Sequence, residues 1–107
     1  GVLLGMVRKL AGDNNFVITG DFNALPESLA ISRMKEGDFA VDSYLISETP
    51  PAGQSYTFNG WKDEPREGRI DYVFVRNGMK VLSHETHRII EEGVFISDHW
   101  PVSARVR

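Results

Sequence analysis

The chain has 107 residues, 41% of them hydrophobic, and a formal charge of −3, enough for one small core and unlike a disordered chain. An acidic isoelectric point near 5.5 gives no electrostatic footprint for tight, nonspecific nucleic-acid binding. Cysteine is absent, which excludes disulfides and thiol chemistry and leaves the compartment open.

The apolar positions Val2, Leu3, Met6, Val7 and Leu10 recur at helical spacing and stop at Gly12, predicting a short amphipathic helix. The run Val2 to Val7 falls well short of the roughly 20 residues of a membrane span. Arg8-Lys9 follow that run rather than precede it, which argues against a signal peptide. The first residue is Gly rather than Met, so the chain reads as a piece of a longer protein with any export signal upstream. Phe16 to Thr19 predicts a buried strand, and Ser28 caps a helix running through Lys35 to a stop at Gly37. Asp42-Ser43 starts one helical turn around Tyr44-Leu45-Ile46, and Pro50-Pro51-Ala52-Gly53 reads as loop. Tyr56-Thr57-Phe58 predicts a short strand, followed by an exposed polar loop from Asn59 to Gly68. Trp61 in that loop either stacks on a base or sugar or packs onto the sheet. Arg69 to Arg76 predicts a strand, Asn77-Gly78 a type I′ turn, and Met79 to Val81 the return strand of a hairpin. His84 and His87 lie in a polar stretch and read as plain surface residues, with Glu91-Glu92 a solvated turn. Val102 to Val106 alternates as a closing strand.

Three polar clusters interrupt this apolar framework. Gly20-Asp21-Phe22-Asn23 closes a strand with two residue types depleted in strands. On extended chain Asp21 and Asn23 would share one side, roughly 7 Å apart. An Asx-type turn continued by Pro26 and Ser28 accounts for the same residues. In the strand Arg69 to Arg76, Ile70, Tyr72 and Phe74 share one face and Asp71, Val73 and Val75 the other, so both faces are largely apolar and covered. Asp71 is the exception. A carboxylate among valines needs a cation, a metal or a hydrogen-bond donor, and Arg69 or Arg66 could serve. In Ser97-Asp98-His99-Trp100-Pro101, Asp98 and His99 sit where a loop becomes a strand. Carboxylate and amide oxygens suit Mg²⁺, Mn²⁺ or Ca²⁺, and an imidazole held protonated by a carboxylate can neutralise a phosphate oxygen.

Gly20-Asp21-Phe22-Asn23, Arg69-Ile70-Asp71-Tyr72-Val73-Phe74 and Ser97-Asp98-His99-Trp100-Pro101, with Thr57-Phe58 before the second, resemble in order and spacing the motifs of the endonuclease/exonuclease/phosphatase superfamily. The resemblance runs from the first helix to the last strand and matches the C-terminal portion of the family domain. It implies an α/β (α+β) fold, the C-terminal half of a four-layer α/β/β/α sandwich with mixed or mostly antiparallel sheet and flanking helices. It also implies Mg²⁺- or Mn²⁺-dependent hydrolysis of a phosphate ester by attack of water. On that resemblance Asp21 positions or deprotonates the water, and Asn23 holds it and a phosphoryl oxygen. His99 binds the phosphate, Asp71 orients His99, and Asp98 sits with Asp21 beside the metal.

The family's N-terminal portion supplies an Asn and a metal-binding Glu that nothing in this chain matches, Glu27 included. The expectations are a chain forming roughly one of two sheets, little or no hydrolase activity alone, and self-association through an exposed apolar face. A non-catalytic scaffold module of the same fold is the alternative, but it would not need polar residues at Asp21, Asn23, Asp71, Asp98 and His99. The substrate that the resemblance implies is a nucleic acid, an inositol phosphate or a phospholipid head group, and the core motifs do not separate these.

Overall fold

Gly12 ends the first helix: its φ of 56° is left-handed, and its N–H donates to the Arg8 carbonyl at 3.2 Å. The computed structural model describes residues 2–107, and this helix, α1, spans Val2–Ala11. Ser28 caps α2 (Leu29–Met34), its hydroxyl accepting from the Ile31 N–H, and a single 3₁₀ turn, Glu36–Asp38, follows. Asp42 caps the one-turn helix α3 (Ser43–Ile46) in the same way, accepting from the Tyr44 N–H at 3.0 Å.

Strands β1 (Val17–Asp21), β2 (Ala40–Asp42) and β4 (Asp71–Arg76) form an antiparallel sheet in the order β1-β4-β2. Strands β3 (Ala52–Gly53), β5 (Val81–Thr86) and β8 (Val102–Val106) form a second sheet in the order β3-β5-β8, its β3–β5 pair parallel. A two-stranded ribbon joins β6 (Ile90–Glu91) to β7 (Val94–Phe95). The chain therefore contributes strands to two sheets rather than one.

Central β4 explains the layering. Tyr72 and Phe74 pack with Leu4, Ile31 and Met34 under the helices. Val73 and Val75 pack on Val81, Val102 and Ala104 of the second sheet. Both faces of β4 are covered, as its two-sided apolar pattern predicts. Elsewhere the packing is one-sided: α1 buries Leu4, whereas Val2 and Leu10 are each at least 80% exposed.

Several sequence expectations change. The Asn77-Gly78 turn closes with Met79 N–H donating to the Arg76 carbonyl at 3.1 Å, but positive φ occurs only at Gly78 (101°) and not at Asn77. That is the pattern of a type II turn, which splays its flanking strands instead of matching their twist. β4 and β5 consequently join different sheets, and no hairpin forms. Strand β1 is a sheet edge with Val17 exposed, not a buried strand. Tyr56 to Phe58 is reduced to a single bridge between Phe58 and His99, while Ala52–Gly53 is a short strand rather than loop. Gly53 fits there because a Cβ would meet the Thr86 carbonyl oxygen of β5. Trp61 neither packs onto the sheet nor hides; it is 59% exposed, with an uncommon φ of 65°.

His84 departs furthest from expectation. It is 2% exposed, its Nδ1 lies 2.8 Å from Ser43 Oγ, and its Nε2 is buried with no partner. The alternation that would turn it outward is offset because α3 covers that face of β5. His87 stays partly exposed beside Glu85, and Glu91-Glu92 are exposed, Glu91 ending β6 and Glu92 lying in the turn after it.

Candidate active site

Strand register builds the site. Asp21, the last residue of β1, lies directly opposite Asp71, the first residue of β4. Residues opposite one another in an antiparallel ladder share a face, and like charges so placed repel unless a cation intervenes. His99 occupies that position. Its Nδ1 is 2.7 Å from Asp71 Oδ2, and its Nε2 is 3.6 Å from Asp21 Oδ2 and 3.9 Å from Asp98 Oδ1. Neither arginine expected at Asp71 reaches it. Arg69 makes two hydrogen bonds to the buried Asp42 carboxylate, and Arg66 donates to the Asn59 carbonyl at 2.9 Å.

The loop carrying His99 is fixed from several sides. The His99 N–H donates to Ser97 Oγ at 3.1 Å, and the Phe58 ring meets the imidazole edge-on at 5.4 Å between centroids. Trp100, 2% exposed and stacked on Phe95, anchors the next residue. The cleft in front is about 380 Å³ and is lined by Thr19, Gly20, Asp21, Asp71, Ser97 and His99 among others. Partial burial alone would lower the His99 pKa. The hydrogen bond that His99 Nδ1 donates to Asp71 and the charges of Asp71, Asp21 and Asp98 outweigh it and raise the pKa above its ordinary value.

Asn23 is not on extended chain. Its φ is 48°, and its N–H donates to Asp21 Oδ1 at 2.8 Å, closing the Asx turn that the sequence left as an alternative. Its side chain is exposed, and Asn23 is not among the residues lining the cleft. The turn orients Asp21 without removing it, because the other carboxylate oxygen still faces His99.

Donor atoms of Asp21, Asp71 and His99 lie within 4.8 Å of one another. Asp71 and His99 bond each other, which leaves Asp21 in the cleft, with Asp98 3.9 Å from His99 Nε2 but outside the cleft lining; the two side chains are 39% and 42% exposed. Exposed carboxylates suit a hard divalent cation in kind and would supply only part of its coordination. Sequence reasoning missed the second polar cluster: Asp42 paired with Arg69, Arg69 stacked 3.8 Å over the Tyr44 ring, and His84 edge-on to Tyr44. The one signal available was Asp42 as a helix cap, which says nothing of its carboxylate's long-range partner.

The family model described as "Endonuclease/Exonuclease/phosphatase family" matches residues 2–99. Among solved structures, the endonuclease/exonuclease/phosphatase from Bacteroides vulgatus superposes with a TM-score of 0.88 at 28% identity, covering 99% of this chain and 41% of that one. A mannosyl-6-phosphatase of Bacteroides thetaiotaomicron gives 0.82 at 23% identity, covering 99% and 43%. The human Nocturnin catalytic domain, with bound sulfate, gives 0.64 at 19% identity, covering 96% and 38%. The chain thus spans about two fifths of the length of these relatives. No curated protein matches it significantly by sequence.

Proposed function

Because the chain belongs to the endonuclease/exonuclease/phosphatase family, we propose that it carries the aspartate- and histidine-bearing part of a divalent-metal-dependent phosphate-ester hydrolase. The observation that carries this reading is an imidazole clamped on Nδ1 by Asp71 at 2.7 Å, with Nε2 turned toward two exposed carboxylates. Family members are hydrolases, generally metal-dependent, and the family's substrates are phosphate esters; no described helix is long and apolar enough to cross a membrane.

Each residue has work to do in such a reaction. Asp71 fixes the imidazole tautomer and favours its protonated form, so Nε2–H can donate to a phosphoryl oxygen as negative charge grows there. Asp21 accepts a proton from, or orients, the attacking water. Asn23, held by the Asx turn beside Asp21 and outside the cleft lining, is assigned by the family resemblance to that water or to the phosphate. Asp21 and Asp98 would hold Mg²⁺ or Mn²⁺, which when bound supplies Lewis-acid stabilisation of the phosphoryl charge. In-line displacement needs groups on both sides of phosphorus, so rigid strand ends are the suitable support.

Two exposed carboxylates do not complete the octahedral shell that Mg²⁺ demands. The remaining ligands, including a glutamate, belong to the family's N-terminal portion. Residues 1–107 alone are therefore expected to hydrolyse bis-p-nitrophenyl phosphate with Mg²⁺ at background rate, and the full-length protein well above it. Hydrolysis by the isolated 107 residues that disappears in His99→Ala would overturn this division of labour. A full-length protein inert toward both mono- and diester substrates would overturn the hydrolase reading.

A further inference from the structure

The Asp71–His99 contact joins groups 28 residues apart, and no continuous ladder holds them together. β2 pairs with β4 only from Phe74 to Arg76, so the start of β4 has no strand neighbour on that side. The Thr57 hydroxyl takes the strand's place, with Oγ1 accepting the N–H of Ile70 at 2.9 Å and of Asp71 at 3.2 Å. The same residue's carbonyl accepts the Trp100 N–H at 2.7 Å, next to His99. Phe58 bridges His99 through the backbone. Asn59 and Gly60 donate their N–H groups to the Asp98 carbonyl at 2.7 and 3.2 Å, and Asn59 Nδ2 donates to the Ser97 carbonyl at 3.2 Å. Thr57 and Asn59 are both 0% exposed.

We propose that Thr57 and Asn59 are positioning residues, a clip that fastens the start of β4 to the Ser97 to Trp100 loop and so sets the Asp71–His99 contact. Neither side chain touches the other two by way of charge. Thr57 satisfies backbone groups on both sides of the contact and Asn59 those of the Ser97 to Asp98 side, and a buried backbone N–H left without a partner pulls its segment toward a new one. Thr57 alone ties both partners, through its hydroxyl to Asp71 and through its carbonyl to the residue after His99. The clip thus converts two separately anchored segments into one rigid pair, which a group transferring charge to phosphate requires.

The kinetic part of the test rests on the hydrolase reading, and the spectroscopic part does not. In the full-length protein, an imidazole N–H bonded to a carboxylate gives a downfield proton resonance, assigned by its absence in His99→Ala. Thr57→Val keeps the side-chain shape and removes the acceptor, and Thr57→Ser keeps the acceptor. The expected result is loss of the resonance in Thr57→Val with about tenfold lower kcat and nearly unchanged KM, and recovery of both in Thr57→Ser. A resonance retained in Thr57→Val, or lost equally in Thr57→Ser, overturns the clip. Should Thr57→Val not fold by circular dichroism, Asn59→Ser, which removes the amide donor to Ser97, takes its place: loss of the resonance with lower kcat supports the clip, and a retained resonance overturns it. If the protein hydrolyses no phosphate ester, the resonance still decides the clip, so the two failures stay distinct.

Discussion

Two histidines in this chain face carboxylates and hydroxyls yet behave in opposite ways. His99 stands at a cleft mouth, 24% exposed, among Asp21, Asp71 and Asp98, which hold its pKa up. His84 lies 2% exposed between α3 and β5, bonded to Ser43. Burial lowers its pKa, and although the nearby Asp42 charge raises it, Arg69 works against that by neutralising Asp42. At His84 burial dominates, and the Arg69 charge opposes the pull of Asp42, whereas at His99 three carboxylates act together and outweigh burial. The same residue type is thus pushed toward its protonated form in one cluster and toward its neutral form in the other.

The sharpest way to separate the clusters is to delete a member of each in the full-length protein. His99→Ala should lower turnover about 10³-fold, or about 4 kcal/mol of transition-state stabilisation, with thermal stability nearly unchanged. Steady-state kinetics beside a melting curve checks this, and a large melting shift with intact turnover would exchange the roles of the two regions. Asp42→Ala should do the reverse. It leaves the 5% exposed Arg69 guanidinium unpaired and should cost about 3 kcal/mol in urea unfolding, with His99 undisturbed.

The smallest effect is in the pH dependence of stability. The folded pKa of His84 is depressed below 6.5, so just below pH 6.5 the unfolded chain takes a proton that the folded chain refuses. Stability should therefore fall as pH drops through that window, by at most about 1.4 kcal/mol per pH unit for one proton. The sign for His99 is opposite: its folded pKa is raised, so its contribution is complete below 6.5 and is lost as pH rises through the folded value. Urea midpoints compared between about pH 7 and about pH 5 should show a drop that His84→Leu flattens. An unchanged slope in that variant would mean that His84 is not the group responsible.

Much of the framework was legible from local signals. Gly12 and Ser28 mark real helix ends, and the two-sided apolar pattern of β4 announces a central strand before any partner is known. The clusters around Asp21, Asp71 and His99 stood out as polar residues in apolar elements, and their order carried the family resemblance. The misses share a cause. Asn77-Gly78 reads as a hairpin turn because both I′ and II turns accept glycine at the second position, and the φ of Asn77 decides between them. His84 reads as surface because alternation names a face and not what covers it.

The sequence by itself determined the two faces of β4, the end of α1 and the start of α2, because those follow from periodicity and capping over a few residues. The family resemblance already paired Asp71 with His99, while tertiary structure alone decided that Arg69 goes to Asp42 and not to Asp71, and that Asp21 serves both an Asx turn and the imidazole. Those pairings depend on the β1–β4 register and on a loop returning from 28 residues away. A charge's partner is set by which segments the packed core brings within a few ångströms, and local pattern carries no record of that distance.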